Sequence, residues 1–289
     1  MPEGDTVWLA AERMRAALAG QVLTRSDFRV PAYATVDLSG QSVLDVVPRG
    51  KHLLTRFSGG LTLHTHFEMD GSWHLFPHGT PWTGSGPAHQ IRLVLSVSAT
   101  DAVGMRIPVI DLAPTADEER WVGHLGPDVL GEDWSLETAV ANLAASPERE
   151  IGTALLDQRN LCGPGNLYRT EALFLHGVSP WTRVGDVRGL PRLVDRLRRM
   201  MLHNRGHWEQ STTGSTRAGE VHWVFQREGK PCRRCGTRIP QAMQGDPGVE
   251  RVTTWCPHCQ PGPMPSPAEV TRQRSARRAP PTGYVRYRS

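Results

Sequence analysis

The chain has 289 residues, of which 38% are apolar and 21% are charged. This length is enough for two domains with hydrophobic cores. No apolar run approaches the roughly 18 residues of a membrane span, so the sequence predicts none. The opening MPEGDTVWL carries acids where a signal peptide carries basic residues, and the five cysteines are an odd number. We therefore expect a protein of the reducing cytoplasm, with cysteines that bind metal or stay free.

The net charge of +4 is concentrated at the C-terminus. Residues 261–289 contain six arginines and one glutamate, which leaves residues 1–260 with 27 basic and 28 acidic groups. The body would therefore bind a polyanion only through a local basic patch. The proline-rich tail is predicted to be disordered. We expect it to add non-specific DNA affinity or to bind a protein partner through Tyr284 and Tyr287.

The first predicted element is a helix over Thr6–Leu18, capped by Asp5 and followed by Gly20, with one apolar face. Residues 21 to about 112 change character, because Gly, Pro and Ser break them into short apolar segments. These segments include VLTRSDFRV, SVLDVVP, KHLLTRF, LTLHTHF and IRLVLSV. Such spacing is typical of an antiparallel β-sandwich or barrel.

Helices follow Pro114. The helical segments are SLETAVANLAA with a Ser cap, REIGTALLDQ, NLYRTEALFLHG and LPRLVDRLRRMML, the last with an apolar stripe that predicts core packing. The fold class is therefore α+β with several domains. We predict a β-rich domain over 1–130, a helical domain over 131–220, a cysteine-paired hairpin over 221–260 and the tail over 261–289.

Four cysteines near the end form two pairs. Each pair has a two-residue spacer, and twenty residues separate the pairs: Cys232, Cys235, Cys256 and Cys259. This spacing predicts one zinc ion held by four thiolates, with two disulfides as the alternative. Four thiolates leave no open coordination position, so the zinc would be structural. The isolated Cys162 is predicted to be a small packed thiol.

Four further motifs lie far apart in the chain. Pro2-Glu3 follows the initiator methionine, and Gly50-Lys51-His52 lies at a predicted strand start. Leu156-Asp157-Gln158 precedes the segment GPGNLYR, and Arg251 lies five residues before Cys256. In this order and spacing, the motifs resemble the formamidopyrimidine-DNA glycosylase/endonuclease VIII family over residues 2–260. The opening PEGDTV is more similar to the endonuclease VIII branch than to the other branch, which typically starts PELPEVE.

The resemblance implies an N-terminal helix and β-sandwich, then a helix–two-turn–helix domain closed by a zinc finger. The two helices of that motif would be roughly Glu150–Asp157 and Asn166–His176. It also implies a bifunctional DNA glycosylase/AP lyase of base excision repair. We expect damaged DNA as its partner, a monomer, and a bacterial-type cytoplasmic location on the nucleoid during repair.

The catalytic roles come from the resemblance and from amine chemistry. Once Met1 is removed, Pro2 presents a secondary amine with a reference pKa near ~8, so part of it is neutral and can attack C1′ of a damaged nucleotide. The resulting iminium ion acidifies the neighbouring sugar carbon and permits strand cleavage by elimination. The resemblance makes Glu3 the acid/base of these steps and Lys51 a phosphate contact that assists catalysis.

The remaining site residues are DNA contacts. Asn166 opens a helix after a glycine-rich turn, where it would hold a phosphate, act as a plain N-cap, or do both. Pro164 in this turn departs from the family pattern and removes one amide donor. Arg251 would grip phosphates from the tip of the finger hairpin. Met69 is our candidate for the wedge that fills the gap left by a flipped base, against a core methionine as the alternative.

Two other functions compete with this interpretation of the sequence. A non-catalytic DNA- or RNA-binding protein with a zinc ribbon explains the cysteines, Asn166 and the arginines, but not Pro2-Glu3. A zinc hydrolase is disfavoured, because His64 and His66 lie on one sheet face without a third ligand at recognisable spacing. Oxidised pyrimidines are the expected lesions by branch resemblance, with 8-oxoguanine or formamidopyrimidine as the alternative.

Overall fold

The computed structural model describes residues 2–82 and 86–265. Most of the predicted tail, residues 266–289, lies outside the described residues, and so do Tyr284 and Tyr287. Among the helices of these two ranges, none combines the length and the hydropathy of a membrane span.

The first helix, α1, spans Gly4–Leu18 and ends before Gly20, whose positive φ of 77° suits a glycine. It begins two residues before the predicted start, with Glu3 at the N-cap position. The prediction that Asp5 caps the helix is therefore wrong. Asp5 lies in the first turn and is buried, because its carboxylate is used by residues distant in the chain.

Two four-stranded antiparallel sheets follow α1 and pack as a sandwich. The strands are β1 Arg25–Phe28, β2 Val43–Arg49, β3 His52–Phe57, β4 Leu61–His66, β5 Ser72–Pro77, β6 Ile91–Ser96, β7 Thr100–Met105 and β8 Val109–Pro114. One sheet has the order β1-β6-β7-β5 and the other β2-β3-β4-β8. The turn between β4 and β5 crosses from one sheet to the other, which places residues 67–71 at an edge of the sandwich.

The sandwich core contains one face of α1 together with inward-facing residues of both sheets. Its fully buried members include Val7, Met14, Leu18, Val46, Leu53, Phe57, Leu63 and Leu93. Because α1 is part of this core, the position of its N-terminus is fixed by apolar packing. Residues 2–4 therefore have a rigid support.

The helical half begins after β8. Its helices are α2 Glu119–Val122, α3 Leu136–Ala144, α4 Ile151–Ala154, α5 Asn166–His176 and α6 Leu190–Asn204. Short 3-10 turns are Pro31–Tyr33, Ala88–Gln90, Thr115–Asp117 and Val184–Asp186. Ser135 caps α3 as predicted, since its hydroxyl accepts from the Thr138 amide at 3.1 Å. The predicted stripe of α6 is buried in a second core with α3, α4 and α5.

The predicted helix Glu150–Asp157 is shorter than expected. Helix α4 ends at Ala154, and the Asp157 carboxylate forms ion pairs with Arg149 and Arg159, both at 2.7 Å. These pairs hold residues 155–159 in a turn, which leads the chain to α5. The predicted Asn166–His176 helix has the bounds of α5.

The last element among the described residues is a hairpin of β9 Gln241–Gln244 and β10 Arg251–Thr254, beside the two cysteine pairs. Buried Glu171 of α5 anchors the segment that leads into it. Its carboxylate accepts from three successive amides, those of Trp223, Val224 and Phe225, each at 2.8 Å. The hairpin therefore has a fixed position relative to α5.

The N- and C-terminal halves also meet at α1. Arg205, just after α6, lies over the Trp8 ring at 4.8 Å, and Arg13 lies over the Trp208 ring at 4.2 Å. Both contacts are within the range of cation–π attraction. They join the end of α6 to the helix that carries Pro2 and Glu3 at its start.

Candidate active site and nucleic-acid interface

The carboxylate of Glu3 lies between α1 and the N-terminus of α5. It is fully buried and accepts hydrogen bonds from the backbone amides of Gly165, at 2.7 Å, and Leu167, at 2.8 Å. Amides at a helix N-terminus attract anions, since they have no partner within the helix. In this protein a carboxylate from the other half of the molecule occupies that position.

Glycine is required at position 165 by these neighbours. A Cβ there would lie 2.7 Å from the Glu3 carboxyl carbon and 2.9 Å from Lys51 Nζ. Both distances are shorter than any ordinary van der Waals contact. The Glu3 carboxylate and the Lys51 ammonium therefore converge on one small space above Gly165.

Burial favours the uncharged forms of both Glu3 and Lys51. It raises the pKa of Glu3 above its usual range, although the nearby Lys51 charge opposes this. Burial likewise lowers the pKa of Lys51, against the opposing charge of Glu3. A carboxyl that holds its proton and an amine that releases one are the forms needed for general acid and base work near neutral pH.

Two backbone contacts fix the turn that carries Lys51 and the start of α1. The Gly4 amide donates to the Gly163 carbonyl at 2.9 Å, and the Gly50 amide donates to buried Asp128 at 2.7 Å. Gly50 has a φ of 57°, and a Cβ there would lie 3.0 Å from the Cys162 sulfur. Cys162 is buried and unpaired, as predicted for a packed thiol.

Pro2 directly precedes this buried carboxylate and is itself partly exposed. The ring is therefore open to a large ligand, while the next residue is held rigidly. The structure brings Pro2, Glu3 and Lys51 to one site, although Lys51 follows Pro2 by 49 positions in the sequence.

Asn166 is the first residue of α5, and Gly165 is the N-cap, so the plain N-cap interpretation of Asn166 is wrong. Its side-chain amide donates to the Val252 carbonyl of β10 at 2.7 Å, and its oxygen accepts from Arg169. The backbone amides of Gly165 and Leu167, on either side of Asn166, bind Glu3. Asn166 therefore ties the helix to the finger.

Arg251 and Met69 lie on one face with Asn166. Arg251 is exposed and begins β10, directly after the hairpin turn, and Met69 is 61% exposed. The three residues line a cavity of about 640 Å³. The exposure of Met69 excludes the core-methionine alternative, and its place on the β4–β5 turn suits a side chain that inserts into a ligand.

The four paired cysteines converge at the base of the finger. Their sulfur atoms all lie within 4.8 Å of one another, with Cys235 and Cys256 at 3.4 Å and Cys232 and Cys259 at 4.0 Å. These separations are too long for disulfides, whose S–S length is about 2.05 Å. They match a tetrahedral zinc site, in which Zn–S bonds of about 2.3 Å put the sulfurs about 3.8 Å apart. The four cysteines are thus positioned for zinc binding.

The histidines of β4 do not form a second metal site. His64 bonds to His52 at 2.8 Å and stacks on Trp121, and His66 contacts the His52 ring. Within residues 2–82 and 86–265, the cysteine quartet is the only cluster with metal-ligand geometry. Burial lowers the pKa of His52 to about 3 and that of His64 to about 4, so both are neutral packing residues.

Sequence reasoning missed two groups around the site. Tyr168 donates to buried Asp5, which also accepts from Gln210 at 2.8 Å. Arg169, one residue later, is fully buried under the finger hairpin. Asp5 lies 163 positions from Tyr168, and three of the hydrogen-bond partners of Arg169 lie 75 positions away or more. The only sequence signal is the dense GPGNLYR segment itself.

Comparison with known proteins gives the same family across the chain. The model of the formamidopyrimidine-DNA glycosylase N-terminal domain matches residues 1–106, and the model of the H2TH domain of that glycosylase matches residues 125–190. A probable endonuclease 8 2 of Streptomyces coelicolor is 55% identical over 96% of this chain and 100% of its own length. A DNA-(apurinic or apyrimidinic site) lyase Nei2 of Mycolicibacterium smegmatis is 47% identical over 90% of this chain and 99% of its length.

Solved structures agree on the fold. The Lactococcus lactis glycosylase in complex with DNA containing an abasic site superposes with a TM-score of 0.74 and 20% identity, and it covers 90% of this chain and 100% of its own. The sequence motifs, the geometry of the site and the relatives all indicate the same family. The chain belongs to the formamidopyrimidine-DNA glycosylase/endonuclease VIII family, in its endonuclease VIII branch.

Proposed function

We propose that this chain excises oxidised bases, chiefly pyrimidines, from DNA and then cleaves the strand at the abasic site, with Pro2 as nucleophile. The observation that carries the proposal is the buried Glu3 carboxylate, held by Gly165 and Leu167 directly beside Pro2. Burial of a carboxyl group beside a lysine is costly, and a residue with only a structural role at this position would not need it.

The first step is attack by the Pro2 nitrogen on C1′ of the damaged nucleotide. It requires removal of Met1, because an amide nitrogen has no available lone pair. A bond forms between nitrogen and C1′, and the base leaves with the electron pair of its glycosidic bond and takes up a proton. The Pro2 nitrogen loses its own proton, and the sugar ring opens to a cationic iminium.

The second step is elimination. The iminium withdraws electrons, so a base can remove a proton from C2′. The C3′–O bond then breaks, and the phosphate leaves with its electron pair. Water then hydrolyses the remaining iminium and releases Pro2, and this is the one step that consumes water, because Pro2 itself displaces the base.

Glu3 is proposed as the proton donor to the sugar ring oxygen and as a shuttle in elimination. Its raised pKa supports this role, since an acid must hold its proton at working pH. Lys51 lies across the same space and would contact the phosphate beside the lesion. Burial lowers its pKa, so a phosphate that enters the site would favour its charged form again.

Arg251 and Asn166 are proposed to hold the DNA backbone on either side of this space. The exposed guanidinium of Arg251 suits two hydrogen bonds to one phosphate. Asn166 has used its oxygen and one amide hydrogen internally, so its second amide hydrogen and its backbone N–H remain for the phosphate. Met69 would enter the base stack and fill the gap left by the flipped nucleotide.

Cys232, Cys235, Cys256 and Cys259 would hold one Zn²⁺, which supplies a structural crosslink and no chemistry to the reaction. The crosslink would support the hairpin that carries Arg251. A monomeric state and a cytoplasmic location on the nucleoid remain predictions from the sequence, as does the division at residues 131, 221 and 261.

The lesion class is tested with duplexes that carry an abasic site, thymine glycol, dihydrouracil or 8-oxoguanine. We expect cleavage of the abasic duplex and faster excision of the two oxidised pyrimidines than of 8-oxoguanine. Faster excision of 8-oxoguanine would contradict the proposed pyrimidine preference and support the alternative lesion class. Binding without any cleavage would support the alternative, a non-catalytic DNA- or RNA-binding protein.

A further inference from the structure

Arg169 is a fully buried arginine in the first turn of α5, three residues after Asn166. Its guanidinium donates to five oxygens, all of them neutral: carbonyls of Gly152 and Val252, side-chain amide oxygens of Asn166 and Gln244, and the Thr253 hydroxyl. Burial lowers the pKa of Arg169 to about 9. A charged group is thus kept out of water by uncharged partners.

Such an arrangement is expensive for a residue whose only task is to fill space. A buried cation is costly unless its hydrogen bonds are satisfied, and here Nε has no partner. A methionine of similar length would avoid that cost. The rigid fork of the guanidinium, in contrast, can bond to several elements at once in one fixed geometry.

The elements that the guanidinium joins carry two of the DNA contacts of the proposed function, Asn166 and Arg251. Arg169 reaches Thr253 at 2.7 Å and Gln244 at 2.9 Å, which are neighbours on β10 and β9. It also bonds to the oxygen of Asn166, while the Asn166 amide bonds to the Val252 carbonyl. Val252 is the residue after Arg251, so one network fixes Asn166 and the strand that presents Arg251.

We propose that Arg169 is a positioning residue that locks α5 onto the finger hairpin, so that Asn166 and Arg251 bind the DNA backbone as one unit. The inference rests on the proposed function, because it assigns the phosphate contacts to those two residues. Arg169 itself is buried and does not touch DNA. Its loss should therefore act on binding through Asn166 and Arg251, so that its effect overlaps with the effect of removing Arg251.

The test is a double-mutant cycle on the zinc-loaded protein with a duplex that contains an abasic site. The variants are Arg169→Met, Arg251→Ala and both together, with Arg169→Lys as the conservative variant. Arg227→Met is the matched control, since Arg227 is also buried with an unpartnered Nε but bonds to the Trp223 and Pro231 carbonyls at 2.6 and 2.9 Å. Kd, its salt dependence, the single-turnover rate and bound zinc are measured for each.

We expect Arg169→Met to keep its zinc and to raise Kd at least tenfold, with partial recovery in Arg169→Lys. The loss of affinity in the double variant should be clearly smaller than the product of the two single losses. Arg169→Met and Arg251→Ala should each flatten the slope of log Kd against log salt by about one unit, which corresponds to one lost phosphate contact. Arg227→Met should act independently of Arg251→Ala, so the factors by which these two variants change Kd should multiply when they are combined.

A Kd for Arg169→Met within twofold of the parent, or effects of Arg169→Met and Arg251→Ala that multiply, would overturn the inference. If Arg169→Met does not fold, Arg169→Lys takes its place in the same cycle, and the same coupling is required. Failure of the proposed function is a separate result, because it would appear as a parent protein that does not cleave the abasic duplex.

Discussion

Glu3 and Gly165 lie 162 positions apart in the chain, yet the Gly165 amide donates to the Glu3 carboxylate at 2.7 Å. The contact links the N-cap of α1 to the N-cap of α5, and hence the β-sandwich half to the helical half. Since Glu3 follows Pro2 directly, the same hydrogen bond determines where the proposed nucleophile lies.

Replacement of Gly165 by alanine should displace the Glu3 carboxyl group. The new Cβ would lie 2.7 Å from the carboxyl carbon, so Glu3 or Lys51 must move. A displacement of about 1 Å at a catalytic group can cost roughly 10²-fold in rate, and we expect a single-turnover loss of that order. Gly185→Ala is the control, because a Cβ there would meet only Pro147 at 3.2 Å. Equal rates for the two variants would show that the Glu3 position is not critical.

Replacement of Glu3 by glutamine should separate base excision from strand cleavage. We expect excision of dihydrouracil to fall roughly 10²–10⁴-fold, while cleavage at a preformed abasic site is partly retained because the base is already gone. The control is Glu137→Gln, an exposed glutamate in the first turn of α3. Excision at the parent rate by Glu3→Gln would exclude Glu3 as the acid.

The pH profile should reflect the raised pKa of Glu3. An acid works in its protonated form, so excision should be retained above the usual carboxyl range and should fall as pH rises through the raised pKa. Glu3→Gln should lack this descending limb. The measurement is the single-turnover excision rate against pH; a limb of unchanged position in Glu3→Gln would assign it to another group.

Met69→Ala should slow cleavage of duplex DNA without destabilising the protein. Met69 is 61% exposed, so the free energy of unfolding should change by less than about 0.5 kcal/mol. Unstacking a base step costs a few kcal/mol, so loss of the wedge should cost about tenfold on a duplex and little on single-stranded DNA. Leu44→Ala, at a 59% exposed position on β2, should affect neither substrate. An equal loss on both substrates would argue against a wedge.

Zinc removal should unfold the finger and spare the sandwich. One equivalent of zinc should copurify, and Cys256→Ser should release it, with loss of DNA binding. Limited proteolysis should then leave a resistant fragment near residues 1–130, whose core is separate from that of the finger. Cys162→Ala should keep its zinc, because Cys162 lies outside the quartet. Active protein without zinc by elemental analysis would contradict the assignment.

Much of the fold was predictable because it depends on local patterns. The order of strands and then helices, the bounds of α5, the Ser135 cap and the cysteine spacing all depend on residues close in sequence. The start of α1 was wrong by two residues. The sequence shows Asp5 as the nearest capping side chain, but Tyr168 and Gln210, far along the chain, bind that carboxylate.

The internal contacts of the site were not predictable for the same reason. Asn166 has the sequence position of a cap, yet its side chain bonds to Val252, which is 86 residues away. Arg169 appears in NLYRTEAL as an ordinary helix arginine, and only the packing of the finger shows that it is buried. Pairings between domains leave no periodic signal in one sequence, so the family resemblance indicated which residues matter but not how they are connected.

The central claim is that the Pro2 amine forms the covalent bond to DNA. The chain is well suited to a test by borohydride trapping on an abasic-site duplex, because Lys51 and Lys230 are its only lysines. Pro2→Gly should weaken trapping, and a form that retains Met1 should not be trapped at all. Peptide mapping of the trapped complex identifies the attached residue directly. We predict that the adduct maps to Pro2 at the processed N-terminus; full trapping with the DNA attached to Lys51 or Lys230 would contradict the account.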